Sequence, residues 1–168
     1  MYPFCSGTAT TSIDAIFALG SQLSIIRIIS FFKSLEHVLI KYSLQIAFEL
    51  DLNPSKTEIF IEEFRRDLFG INYDIGNSAS LGFIPYEEID AYGCRVINVH
   101  VKDRPLGGKS VRLGQGAADF QTILRKLSKN GYDGNYILQT ARAIDEDHES
   151  ELLRNADFFR KEYQNARK

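Results

Sequence analysis

Glu49, Asp74, His100 and Gln139 each lie at, within or just after a short apolar run. Glu49 follows LQIAF, Asp74 follows GINY, His100 sits inside VINVHV and Gln139 follows NYIL. Two carboxylates, an imidazole and an amide oxygen form a donor set suited to Mg²⁺, Mn²⁺, Co²⁺ or Zn²⁺. A cation held this way acts as a Lewis acid on a substrate carbonyl or hydroxyl. Each residue alone has an ordinary reading: Glu49 as a strand-end surface acid, Asp74 as a turn residue before Gly76-Asn77, His100 as a hydrogen-bonded core histidine. Their joint placement is what points to a metal. After His100, Lys102, Arg104, Lys109 and Arg112 surround Gly107 and Gly108, which suits a phosphate grip or, equally, a solvated loop with surface charges. Arg142 reaches the same mouth, caps a helix, or pairs with Asp145 or Glu146.

The elements that must position these groups alternate from about residue 44. Leu44 to Leu50 reads as a strand. Asn53-Pro54-Ser55 starts a helix, with Ser55 and Glu58 at capping-box spacing and Ile61, Phe64 and Leu68 on one face, ending near Gly70. Ile71 to Asp74 is a second strand, followed by a Gly- and Ser-containing loop and a short helix from Pro85 to Ala91. Arg95 to Lys102 is a third strand, with a long glycine-containing loop after it. Phe120, Ile123, Leu124 and Leu127 then fall at i, i+3, i+4 and i+7, the buried face of a helix. Gly131 to Gly134 turns into a fourth strand, Asn135 to Gln139. A final amphipathic helix carries Leu152, Leu153, Ala156, Phe159 and Tyr163. Strand-then-helix repetition implies a parallel sheet with outer helices and every strand's C-terminal end on one side, where α/β folds gather ligands. Ser34 to Lys41 reads as helical and Met1 to Thr11 is weakly patterned.

The chain has 168 residues, 44% hydrophobic and 25% charged, with a net charge of −2. That length suits one domain, residues 1–168. The charge balance gives no bias toward nucleic acid or an anionic membrane. Cys5 and Cys94 have no CxxC spacing, so a disulfide framework or thiolate zinc site is not expected, and a reducing cytoplasm is the simplest location. Ala15 to Phe32 is apolar but interrupted by Gly20, Gln22 and Arg27. It reads as a buried or partner-covered helix rather than a membrane span.

The segments IAFELDL, NYDIGN, VINVHVKDR, VRLGQGAADF and NYILQTAR resemble the successive strand-end motifs of the sugar phosphate isomerase/epimerase family, the xylose-isomerase-like TIM barrels. The resemblance runs from about residue 35 to the C-terminus. It implies an α/β fold, a partial (β/α)₈ TIM barrel: residues 44–168 as the last four β/α units, with residues 1–43 only weakly assigned beyond a helical segment. It places Glu49, Asp74, His100 and Gln139 on the four metal-ligand positions and gives Glu49 an added acid/base role. Asn77, Lys102, Arg104 and Arg142 would contact substrate. The implied reaction moves a proton between adjacent carbons of a sugar or sugar phosphate through a metal-held enediolate.

Two departures matter. The family's fourth ligand is usually Glu, whereas Gln139 can coordinate but cannot take up a proton. A full barrel takes about 250 residues, so the chain reads as a C-terminal half, expected to form a homo-oligomer or to pair with an N-terminal half. The alternatives are a non-catalytic remnant or sugar-binding module on the same scaffold and, as a minor one, an apurinic-site endonuclease-like metal hydrolase. The last needs more ligands than this set, and a basic surface.

Overall fold

The computed structural model of the chain describes residues 8–12, 22–143 and 146–168. Five strands form one parallel sheet in the order β1 (Thr8–Ser12), β2 (Gln45–Glu49), β3 (Phe69–Asp74), β4 (Val96–Val101) and β5 (Asn135–Leu138). The helices are α1 (Gln22–Ser34), α2 (Glu36–Tyr42), α3 (Pro54–Glu62), α4 (Ile75–Leu81), α5 (Pro85–Tyr92), α6 (Phe120–Lys129) and α7 (His148–Ala166). The arrangement is a partial barrel with helices outside, as the motif order implies.

Strand alternation sorts the side chains into two layers. Phe48 and Phe69 point outward and meet Phe32 of α1, Phe60 of α3 and Phe64; the ring centroids around Phe48 lie 4.9–5.8 Å away. Val99 and Val101 of β4 share the outer core with Ile123, Leu124 and Leu127 of α6, the face anticipated from their spacing. Tyr136 of β5 packs on Phe159 and Tyr163 of α7. The opposite, inner face carries Glu49, Asn72, Asp74, Asn98 and His100.

Several boundaries differ from the sequence reading, each for a local reason. β1 adds a strand before the four anticipated, in a Thr-rich stretch with no apolar alternation. Met1 to Gly7 and residues 13–21, including the start of the apolar Ala15 to Phe32 segment, lie outside the described residues. The described part of that segment is α1. Phe32 is buried there, while Ile26 and Phe31 are more than half exposed, so α1 covers part of the outer layer. No described helix is long and apolar enough to cross a membrane.

α3 is capped by Asn53, whose Oδ1 accepts from Lys56 N at 3.0 Å, with Pro54 at the first position. The expected Ser55/Glu58 box is therefore two residues out of register. α3 also ends at Glu62, and Gly70 belongs to β3. A Cβ there would stand 2.6 Å from Ile97 side-chain carbons and 2.8 Å from Arg95 O, so only glycine lets the β4 side approach this closely. The Gly- and Ser-containing loop after β3 contains α4, whose first turn is capped by the Asp74 carboxylate. In α7, Leu152 and Leu153 are exposed, whereas Glu151 and Asn155 are buried, because that face binds the β4–α6 loop rather than more core.

Candidate metal centre

Parallel register brings the inner-face groups together. Asp74 is the ladder partner of His100, and Phe48, next to Glu49, pairs with Ile71, next to Asn72. One ligand atom each from Glu49, Asp74 and His100 all lie within 4.8 Å of one another. His100 Nδ1 stands 3.2 Å from Glu49 Oε2 and 3.9 Å from Asp74 Oδ2. Oxygen and imidazole donors converging in this way fit a divalent ion of the Mg²⁺, Mn²⁺, Co²⁺ or Zn²⁺ kind.

A hydrogen-bond network supports these atoms. Asn72 Nδ2 donates to Glu49 Oε2 at 2.7 Å and lies 3.0 Å from His100 Nδ1, while Asn72 Oδ1 accepts from Asn98 Nδ2 at 2.7 Å. His100 Nδ1 accepts from Asn72 in the tautomer that leaves it bare, the one able to hold a metal through this nitrogen, and donates to Glu49 Oε2 in the form that protonates it. The Glu49 carboxyl is held below its ordinary range, first by its hydrogen bond with His100, against the opposing effect of burial and with help from the charges of His100 and Lys102 and the Asn72 amide.

Gln139 sits just past β5, where its backbone N–H extends the ladder to Val101 O at 3.0 Å. Alternation puts its side chain on the face of Ile137, the partner of His100, and the residue is exposed.

The expected substrate contacts are largely engaged within the protein. Lys102 Nζ donates to Asp74 Oδ2 at 2.7 Å; Gly76 permits this, since a Cβ there would be 2.6 Å from Lys102 Cγ. Asn77 Nδ2 donates to Glu49 Oε1 at 3.2 Å, and Asn77 Oδ1 accepts from Arg104 Nη1 at 2.8 Å. Arg104 Nε donates to Gly108 O at 2.8 Å. The N–H groups of Gly107 and Gly108, expected as a phosphate grip, are also committed, to Ser80 O and Pro105 O, and further along the loop Gly114 N and Gly116 N both donate to Asp103 Oδ2 at 2.8 Å. Arg142 lies apart from these residues, lining a cavity with Ser110, Arg112 and Gln115.

Three residues of this region escaped the sequence reading: Asn72, Asn98 and Asp103. The first two carry a signal in hindsight, because each sits two residues before a ligand, on the same strand face. Asp103 is almost fully buried and collects N–H groups from Gly114, Gly116 and Ala118, organising the loop that follows β4. Its only signal is an acid placed just before a glycine-rich stretch.

Comparison with known proteins agrees with this fold. The family described as the xylose isomerase-like TIM barrel matches residues 27–162. An L-ribulose-5-phosphate 3-epimerase of Escherichia coli O1:K1 is 29% identical over 107 residues, which make up 63% of this chain and 38% of that protein's length. A xylose isomerase domain protein from Planctomyces limnophilus superposes with a TM-score of 0.78 at 18% identity, covering 95% of this chain and 60% of the other. A xylose isomerase-like TIM barrel protein from Mycobacterium smegmatis, solved in complex with magnesium, gives 0.68 at 18% identity, over 88% of this chain and 53% of the other. This chain thus spans well under two thirds of the epimerase it matches and belongs to the xylose isomerase-like TIM barrel family.

Proposed function

We propose that the chain is a divalent-metal-dependent isomerase or epimerase acting on a sugar or sugar phosphate. The supporting observation is the meeting of Glu49, Asp74 and His100 ligand atoms within 4.8 Å at the C-terminal ends of adjacent strands. Gln139, which follows β5 on the strand face of Ile137, is the fourth donor in this reading. A bound divalent cation supplies Lewis-acid polarisation of a substrate carbonyl.

The chain's own residues supply the rest. Glu49, ionised at neutral pH because His100 and Lys102 favour its charged form, is the group able to take a proton from the carbon beside the carbonyl. Asn77 orients the Glu49 carboxylate through its amide, and Lys102 and Arg104 border the same space. Gln139 cannot carry a proton. A single carboxylate base returns the proton to the face it left, which is the stereochemistry of a 1,2 carbonyl shift. Inversion at a carbon requires water or another group on the opposite face.

The E. coli relative named above points to a pentulose phosphate as the substrate class. A second reading, a non-catalytic sugar-binding module, is favoured by Gln139 standing at the fourth position. In the same proposal, β1 and β5 each have one neighbour among the described residues, so a second copy or an N-terminal half would close the sheet; a stable monomer by light scattering would count against this.

Calorimetric titration of the chain with Mn²⁺ tests the metal reading. The natural chain binds, and His100→Ala weakens binding by about a hundredfold or more, roughly 2.7 kcal/mol. No binding by the natural chain at millimolar ion removes the metal-dependent reading, and measured turnover of a sugar phosphate removes the non-catalytic one.

A further inference from the structure

Asn77 lies in the first turn of α4, where the backbone is held from several directions. Its N–H donates to Asp74 Oδ1 at 2.9 Å. The next residue, Ser78, donates its hydroxyl to the buried Glu88 carboxylate, and Ser80 O accepts from Gly107 N at 2.8 Å. With the backbone fixed, the freedom left to Asn77 is rotation of its side chain, and the groups around the amide settle that rotation.

An ionised carboxylate only accepts and a guanidinium only donates, so the amide has one assignment. Nδ2 faces Glu49 Oε1 at 3.2 Å and Oδ1 faces Arg104 Nη1 at 2.8 Å. Lys102 Nζ is farther from Oδ1, at 3.5 Å, and is committed to Asp74 Oδ2 at 2.7 Å. Arg104 is tied at a second point, through Nε to Gly108 O at 2.8 Å, and its backbone oxygen accepts from Ala117 N at 3.0 Å. Because the guanidinium is a rigid plane, fixing Nε also sets the direction of Nη1.

The far end of this chain of bonds is the Glu49 carboxylate. Oε2 is the oxygen beside His100 Nδ1 and Asn72 Nδ2, while Oε1 takes the Asn77 N–H. Without that N–H the carboxylate is held at one oxygen and can turn about its last side-chain bond.

Resting on the metal-dependent reading above, we infer that Arg104 is a positioning residue of the candidate metal centre: it orients the Asn77 amide, which in turn holds the Glu49 carboxylate in the plane that presents Oε2 to the ion. Groups that orient metal ligands set affinity without touching the ion. Arg104 also carries a positive charge one amide away from Glu49, so charge and position predict opposite signs. By charge alone its removal strengthens cation binding, whereas by position its removal weakens it.

Calorimetric Mn²⁺ titration of the full chain reads that sign. Arg104→Gln is expected to bind about tenfold more weakly than the natural chain, roughly 1.4 kcal/mol. Arg104→Lys, which keeps the charge but has no fork to bridge Gly108 and Asn77, should weaken binding in the same direction. Asn77→Ala should show the tenfold loss, and adding Arg104→Gln to it should cause no further weakening, since residues acting along one path are not additive. Tighter or unchanged binding by Arg104→Gln, or a second full loss in the double variant, overturns the inference. The Asn77 side-chain amide, followed by ¹⁵N NMR in the ion-free chain, gives a readout that needs no metal, and the same spectra report whether each variant is folded. Its hydrogen exchange should quicken in Arg104→Gln, and an unchanged rate also overturns the inference. No Mn²⁺ binding by the natural chain removes the metal-dependent reading, while the amide exchange still decides whether Arg104 holds Asn77.

Discussion

Phe48 and Glu49 are neighbours in sequence, yet their side chains enter opposite layers of the sheet. Phe48 is fully buried among four other phenylalanines on the helix side, while Glu49 accepts amide donors from Asn72 and Asn77 on the inner side. The outer layer is held by area and close packing, which tolerate imprecise direction. The inner layer is held by directional hydrogen bonds between a few polar atoms, and a small shift there costs chemistry rather than stability. A strand that alternates between the two layers lets each be changed with little effect on the other.

The strongest way to break this separation is Phe48→Ala. Loss of a fully buried ring costs about 3–5 kcal/mol, so denaturant unfolding should show a large drop in midpoint. Mn²⁺ affinity of the fraction still folded should be unchanged. A loss of affinity matching the loss of stability would show that the two layers are coupled.

A smaller effect is expected at Lys102, which belongs to the inner layer and places its ammonium on the carboxylate that an ion would use, 2.7 Å from Asp74 Oδ2. Lys102→Met removes a resident cation from that oxygen, so Mn²⁺ should bind about tenfold more tightly, roughly 1.4 kcal/mol. Apo stability should fall, because a buried carboxylate loses its partner. Equal affinity in the two proteins would place the ion away from Asp74.

The subtlest test concerns the polar exception on the outer side. Glu88 is buried and accepts from the hydroxyls of Tyr73 and Tyr92, both at 2.8 Å, and from Ser78. Burial raises its affinity for a proton above the ordinary value of 4.5, against the lowering effect of the three hydroxyls. The folded chain therefore holds this proton more tightly than the unfolded chain does. The associated stability is fully present below pH 4.5 and is lost as pH rises through the raised value. Glu88→Gln should flatten that decline in denaturant melts across the window. An unchanged slope would mean that Glu88 does not titrate differently on folding.

The sequence made the inner layer partly legible because ligands at strand ends stand out as polar residues in apolar runs. Glu49, Asp74 and His100 were found this way, and α6 was readable because its buried face follows a simple period. Asn72 and Asn98 were hidden because an asparagine inside a strand looks like a weak β-former until its cross-strand partner is known. β1 and α4 were hidden for a related reason. TATTS and IGNSASL have little apolar pattern; β1 is fixed by its tertiary pairing with β2, and α4 starts from a local cap in which Asp74, read in the sequence as a ligand, accepts from Asn77 N. The commitments of Lys102, Arg104 and the loop glycines could not be seen either, since charge and flexibility in sequence do not reveal which acceptors lie nearby.

The loop that Asp103 gathers is fastened at its base and open at its tip. The carboxylate fixes residues 114–118, whereas Leu106 is 72% exposed and an added Cβ at Gly107 would meet nothing within 4 Å. Such an arrangement is a graft point: residues inserted between the exposed Lys109 and Ser110, past the bonds that Gly107 and Gly108 make to Ser80 and Arg104, lengthen the rim without unseating what the anchor holds, so new specificity can be installed by extending the tip while the strands beneath keep their sequence.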